Sequence, residues 1–385
     1  MCIPLERPMQ QAQTNRLYEL DAAKFIAMLL MMVGHVLDAL VRPSELDVTQ
    51  LPWSAWHWWR GITAPVFLTI SGMLFALTLR RNERGRADRT VLRRRVIRAL
   101  QLAAIGYLLV FPARRIFDLP FVEESTWRAA VQVNILQLVS ASLLLLVILA
   151  VLFPRQDGFR RAVLIVGIAI AVATPLVHRI AWYEHLPSLL AAYVSYEGGS
   201  LFPIFPFSAY MLLGAWLGCW LTLQSGDRIR WIRQVGFFGG SALVLVGALV
   251  GMWLPIGQVD LYRYTPIGVG IRQGVALLFI ATVSLALPLL RSAQSLLVLF
   301  GKQALAVYVL HLLLLFGTPW FDSIGRTHFK MLSLGEGLLA AAAIVVTTLG
   351  SILAWQRVRS VVTQPSVLRL LRVGVAVALA YLLLA

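Results

Sequence analysis

Some eleven apolar stretches, each close to the length that spans a lipid bilayer, leave this chain little choice of fold. They lie near residues 22–41, 61–79, 97–113, 131–153, 162–180, 203–223, 235–254, 269–290, 303–319, 334–355 and 367–385. A helix needs roughly 20 residues to cross a hydrocarbon core of about 30 Å. Lipid offers backbone N–H and C=O groups no partners, so such stretches must bond internally as helices. The expected fold class is all-α: a polytopic integral membrane protein with about 11 transmembrane helices. The composition, 59% hydrophobic and 14% charged over 385 residues, is far from that of a soluble domain. With no long polar insertion, low-complexity tract or repeat, residues 1–385 read as a single domain. Met1 to Asn15 is polar and lacks the apolar core of a cleavable signal. Cys2 and Cys219 are the only cysteines, too few and too dispersed for a disulfide framework or a cysteine metal site.

The formal charge of +16 would suggest nucleic acid in a soluble protein. Here the basic residues stand between apolar segments, which is the positive-inside pattern, and no nucleic-acid partner is expected. One loop carries Arg80, Arg81, Arg84, Arg86, Arg89, Arg93, Arg94, Arg95 and Arg98. Further groups are Arg155/Arg160/Arg161, Arg228/Arg230/Arg233 and Arg357/Arg359 with Arg369/Arg372. With eleven spans all of them fall on one side, taken as cytoplasmic with the N-terminus. The opposite side collects aromatic residues, Trp53 to Trp59, Trp182-Tyr183, Tyr193 to Tyr196 and Tyr262-Arg-Tyr264. Part of this is an interfacial belt.

Within that frame a few polar residues stand in costly places. His35 lies in the first apolar segment, and ionisable groups inside a membrane skew functional. Asp21 and Lys24 mark the inner boundary. Fourteen residues at about 1.5 Å each put His35 roughly 21 Å further, in the outer third of the membrane. Imidazole can accept a proton from a nucleophile near neutral pH. Asp38, on the same helical face, or His57, in the following external loop, would orient it, with Arg60 nearby. The competing reading makes His35 an interhelical hydrogen-bonding group and His57 an interfacial residue. Asn134 and Gln137 form a second pair, at a similar depth, suited to bind a carbonyl or hydroxyl or to tie helices together. Arg94, Arg95 and Arg98, opening the third segment, suit phosphate binding, against a purely topogenic role. Tyr308 and His311 share a face near mid-membrane, as core packing or as the lining of a tunnel. Gly214/Gly218 and Gly247/Gly251 read as helix contacts. His178 and His185 lack diagnostic metal spacing, and no metal is expected.

These motifs resemble a known family. Tyr18-Glu-Leu-Asp21-Ala-Ala-Lys24 running into Met31-Met-Val-Gly-His35 is similar to the opening of integral-membrane acyltransferases. Trp59-Arg60-Gly-Ile-Thr-Ala-Pro65-Val-Phe-Leu-Thr-Ile-Ser-Gly72 resembles an element of the heparan-α-glucosaminide N-acetyltransferase catalytic-domain family. Arg94 to Arg98, Asn134 to Gln137, Phe205 to Gly214 and Gly301 to His311 follow in the same order. The resemblance implies an acyl-CoA donor, such as acetyl-CoA, held at the cytoplasmic face by Arg94, Arg95, Arg98 and Lys24. It implies an amino-sugar or glycan acceptor on the far side and a membrane-embedded His as base, His35 favoured over His57. Arg60, Asn134, Gln137, Tyr308 and His311 would line the substrate path. Lys24 stands where the family has Arg, which removes a bidentate contact. By family habit the setting is a bacterial inner membrane. Expected partners are acyl-CoA, the acceptor and lipid, with a homodimer open. The rival reading is a transporter or flippase for a polar or lipid-linked solute. Against it, the sequence has no paired inverted halves. A third is a non-catalytic scaffold, which leaves the buried polar residues unexplained.

Overall fold

The computed structural model describes residues 17–82, 85–253, 265–362 and 364–384. Met1 to Asn15, Cys2, Arg84 and Tyr262-Arg-Tyr264 lie outside the described residues. The long helices are α1 (Tyr18–Leu40), α2 (Trp53–Leu77), α3 (Arg89–Leu109), α4 (Ile135–Leu152), α5 (Gln156–Val177), α6 (Ile204–Leu223), α7 (Arg228–Trp253), α8 (Pro266–Leu290), α9 (Gln294–Lys302), α10 (Ala304–Phe316), α11 (Leu334–Val361) and α12 (Pro365–Leu384). Among the described residues there is no β-strand. Eight of these helices are long and apolar enough to cross a membrane, and α9 with α10 makes a ninth if that pair, bent by 78°, is one span. Two more, α3 with 21 residues and α12 with 20, have spanning length. The all-α polytopic class expected from the apolar segments is the class observed.

Cross-chain contacts sort the loops into two ends. At one end Arg81 donates to the Pro154 carbonyl, Gln156 Nε2 donates to Thr222 Oγ1 at 2.7 Å, and Arg233 Nη2 donates to the Ser284 carbonyl at 2.7 Å. This end gathers the arginines and is called the basic end. At the other end, the amides of Lys330 and Leu332 donate to the carbonyls of Ala39 and Leu40 at 2.9 and 2.8 Å. There Val133 N donates to Ser200 Oγ at 3.0 Å, and the Tyr107 and Tyr193 hydroxyls meet at 3.1 Å. Loops 110–134 and 178–203 thus stitch together over this aromatic end, using short helices at Glu124–Val131, Trp182–His185 and Ser188–Val194.

Glycine sets how closely the central helices approach. A Cβ on Gly72 would fall 1.9 Å from the Met211 carbonyl oxygen, and one on Gly214 2.2 Å from that of Thr69. Gly218 lies against Met73, so the Gly214/Gly218 pair is a helix contact, between α2 and α6. Gly247 packs on Ile271 in the same way, joining α7 to α8. In lipid, where apolar burial gives little drive between helices, such close approach supplies the dispersion contact that holds them. Thr69 and Gln273 add a buried side-chain hydrogen bond, Nε2 to Oγ1 at 3.1 Å, between α2 and α8.

Three boundaries differ from the sequence expectation. The segment near 303–319 is the second half of a broken element. Gly301, where a Cβ would meet the Asp21 carbonyl at 2.1 Å, lets α9 press on the start of α1, and the chain turns at Gln303 before α10. His57 belongs to the first turns of α2 rather than to a loop, because the helix begins at Trp53. The segment near 131–153 becomes helical only at Ile135, with Asn134 extended at its N-cap (ψ −178°).

Gly72→Leu is expected to abolish recovery of folded protein from detergent, since carbonyl oxygen cannot move aside as a flexible side chain can. Gly335→Ala, with open space around the new methyl, is expected to leave yield and melting temperature unchanged. Size-exclusion recovery and a thermal melt read both.

Candidate active site

His35 sits near the aromatic end of α1, and the break before α10 brings His311 to it across 276 residues of sequence. His35 Nδ1 and His311 Nε2 are 3.1 Å apart, and the rings stack with centroids at 5.4 Å. His311 is fully buried, and its Nδ1 is 3.0 Å from the Val307 carbonyl one turn earlier. A carbonyl only accepts, so His311 Nδ1 carries the hydrogen. A neutral imidazole has one N–H, which leaves His311 Nε2 as an acceptor. His35 must then donate from Nδ1, and its Nε2 keeps a free lone pair. The backbone of α10 therefore fixes the tautomer of His35 through one intermediary. Tyr308 meets His311 edge-on at 5.4 Å and Phe316 meets His35 at 6.4 Å, so the pair is walled by aromatic rings.

The other residues proposed from sequence around His35 are arranged differently. Asp38 is not hydrogen-bonded to His35. It forms an ion pair with Arg60, whose side chain crosses from α2 to α1. Gly34 makes room for this crossing, since a Cβ there would meet Arg60 Cδ at 3.0 Å. Arg60 thus lies over the residue next to His35. His57 is exposed on α2, and no hydrogen bond or ring contact joins it to His35. The position that an orienting carboxylate or second loop histidine would fill is occupied by His311. Sequence placed His311 in the core or a tunnel wall but carried no signal of its pairing.

At the aromatic end of α4, Gln137 is fully buried with both amide atoms unpartnered. It presses on Gly106 of α3, where a Cβ would fall 2.8 Å from its amide carbon. Asn134 caps the same helix without a side-chain bond to it. Neither is hydrogen-bonded to the imidazole pair. His178 is structural, its Nε2 2.8 Å from the Phe205 carbonyl. Among the described residues no group of three or more His, Cys, Asp or Glu could hold a metal. A further ionisable residue in such a place is Arg272, the lone cation within the apolar run of α8. The rule that singles out His35 applies to it equally.

The arginines at the basic end differ in their contacts. Arg95 Nη2 donates to the Phe75 carbonyl at 2.8 Å and to Thr78 Oγ1 at 3.0 Å, with its guanidinium 3.7 Å over the Phe75 ring. It caps one of the orphan carbonyls that end α2, that of Phe75. Arg94 and Arg98 are exposed, and Arg94 reaches only its own Thr90 carbonyl at 3.3 Å. Lys24 lies 4.7 Å over Phe67, with Asp21 and Arg98 as its charged neighbours. Asp88 starts α3: the Thr90 hydroxyl and amide, both at 2.7 Å, donate to its carboxylate and hold it below the usual carboxylate range. Arg94 and Arg98 are thus exposed cations and Lys24 is half-buried near Arg98, whereas Arg95 is held against the end of α2 by Nη2, with its Nη1 buried and unpartnered.

Comparison with known families gives one match. A family described as an acyltransferase domain covers residues 17–356, nearly the whole chain. Comparison with curated proteins returns no match. The chain belongs to this membrane acyltransferase family.

The division among the arginines predicts different outcomes at adjacent positions. Arg95→Gln should lower stability by about 2 kcal/mol, the worth of charge-assisted hydrogen bonds, and Arg94→Gln should leave it unchanged. A thermal melt of each purified variant distinguishes them.

Proposed function

We propose that this membrane acyltransferase takes an acyl group, acetyl in the simplest case, from acyl-CoA at the basic end. It delivers the group to the amine or hydroxyl of an amino sugar or other glycan at the aromatic end. The observation that carries the reading is the imidazole pair: with both rings neutral, the Val307 carbonyl and the 3.1 Å contact leave the lone pair of His35 on Nε2, in a membrane interior. The distribution of arginines supports a cytoplasmic basic end, in keeping with a bacterial inner membrane. The motifs similar to heparan-α-glucosaminide N-acetyltransferases are what favour an amino sugar.

In this reading Arg94, Arg98 and Lys24 hold the phosphates of the donor, and its pantetheine arm runs along the bundle. Both ends of an amide are free on Gln137, which complements the amides of that arm or the thioester carbonyl. His35 Nε2 takes the proton from the acceptor as its oxygen or nitrogen attacks the thioester carbon. The tetrahedral intermediate collapses by breaking the C–S bond, and the CoA sulfur leaves with the proton from His35 Nε2. Arg60 is placed to stabilise the developing oxyanion. His311 takes no part in bond making. It keeps the lone pair on Nε2 and supports the imidazolium that forms. Holding both substrates in register supplies much of the remaining acceleration. The family match does not favour the transporter reading, and among the described residues the bent pair α9 and α10 has no matching second pair.

Transfer of label from acetyl-CoA to a panel of amino sugars tests the reaction. His35→Ala should lose about 10² to 10⁴-fold in kcat, whereas His57→Ala should retain most activity. His311→Ala should lose about tenfold or more as the tautomer is freed, and His311→Gln, whose amide oxygen can still accept from Nδ1, should recover part of it. Full activity in His35→Ala would sink the assignment.

Protonating either imidazole removes the free lone pair or breaks the relay. The rate should therefore rise with pH through the titration of the pair and then level off. A rate that falls with rising pH over that interval contradicts a neutral base. The Arg94→Gln/Arg98→Gln double variant should weaken acetyl-CoA binding at least tenfold by calorimetry, with KM raised and kcat little changed.

A further inference from the structure

Arg272 stands in the run Pro266-Ile-Gly-Val-Gly-Ile-Arg272-Gln-Gly-Val-Ala, about 9 Å along α8 from its start at the aromatic end. A cation in such a place is ordinarily paired, because water and its dielectric are missing. Its Nε is buried without a hydrogen-bond partner, and no carboxylate among the described residues pairs with it. The hydroxyl of Tyr210, fully buried on α6, lies beside the guanidinium and also lacks a well-formed hydrogen bond.

The place of this group relative to His35 follows from two glycines. A Cβ on Gly61 would lie 3.5 Å from Arg272 Nη2, so the guanidinium rests on α2 at the residue next to Arg60. Arg60 in turn crosses Gly34, the residue next to His35. The ordered series His35, Arg60, Arg272 runs across three helices at one end of the bundle. It holds two cations against one carboxylate, Asp38, which Arg60 already engages. Among the described residues, the cation of this group that no carboxylate engages is Arg272.

We propose that Arg272, assisted by Tyr210, is a binding site for a phosphate or carboxylate oxyanion at the same end of the bundle as His35, with Arg60 between them. A planar guanidinium presents parallel N–H donors that match such a group in two-point fashion, and the phenol adds a third donor. The inference rests on the aromatic end being the acceptor side. It narrows the acceptor class to acidic sugars, sugar phosphates or a glycan borne on an anionic lipid.

The test is binding to the full chain in phosphatidylcholine nanodiscs, read by ligand-induced thermal stabilisation and tryptophan fluorescence. The probes are N-acetylglucosamine 6-phosphate and dodecyl phosphate, each against an uncharged counterpart, N-acetylglucosamine or dodecyl maltoside. The anionic probes should bind at least tenfold more tightly than the neutral ones, and Arg272→Gln should remove that preference. Arg272→Lys keeps the charge without the fork and should lose several-fold, as should Tyr210→Phe. Arg291→Gln, an exposed arginine at the basic end, should change nothing. If Arg272→Gln does not fold, Arg272→Lys and Tyr210→Phe decide by the same ratio. Tighter binding of the sugar phosphate assigns the oxyanion to the acceptor itself, and tighter binding of dodecyl phosphate assigns it to a lipid headgroup. Either supports the site. Equal affinity for anionic and neutral probes, or an unchanged preference in the Arg272 variants, overturns it. Since the readout is binding, a failed acyl-transfer assay leaves this result standing by itself.

Discussion

An imidazole inside a membrane must find its hydrogen bonds within the protein, and His35 finds its partner on a helix 276 residues away. Much of the architecture serves that meeting. The break at Gln303 frees α10 from the direction of α9, and Gly301 seats α9 against the start of α1. The Val307 carbonyl then selects one nitrogen of His311, which selects one nitrogen of His35. Two neutral rings thus transmit a backbone constraint to a single lone pair without burying a charge. A carboxylate in the same position would have to be desolvated, which in the membrane interior is far more expensive. The nearby carboxylate, Asp38, is more exposed and is neutralised by Arg60.

Arginine is used in three ways along the bundle. Arg95 is held against the end of α2. Arg94 and Arg98 remain exposed at the basic end, where a phosphate-bearing donor is proposed to bind. Arg60 and Arg272 enter the membrane from the aromatic end, the first paired and the second without a carboxylate. The acyltransferase family to which the chain belongs gives this polarity a purpose. In the proposed reaction donor and acceptor approach from opposite ends, and the base lies between them, nearer the acceptor.

The apolar lengths were enough to read the class of fold, because helix is the only regular structure that satisfies the backbone of these isolated spans. The importance of His35 was legible for a related reason, the cost of placing it there. Its partner was not legible. Asp38 at i+3 looked closer in sequence than His311, and only the packing of α1 against α2 shows that Arg60 claims it. Arg95 was also indistinguishable from Arg94 and Arg98 until the end of α2 was seen against it. Arg272 is legible by the same cost, as a single cation in a long apolar run. The glycine pair at 214 and 218 was read correctly as a contact, since two small residues four apart make a flat helix face.

The central claim is that His311 holds His35 with its proton on Nδ1 and its lone pair on Nε2. Nitrogen NMR of protein labelled at histidine, with the His35 signals assigned by comparison with His35→Gln, measures this directly. The account predicts a single tautomer for His35, protonated at Nδ1 and bare at Nε2, which gives way to a mixture in His311→Ala. A His35 protonated at Nε2, or a tautomer unaffected by His311→Ala, would contradict it.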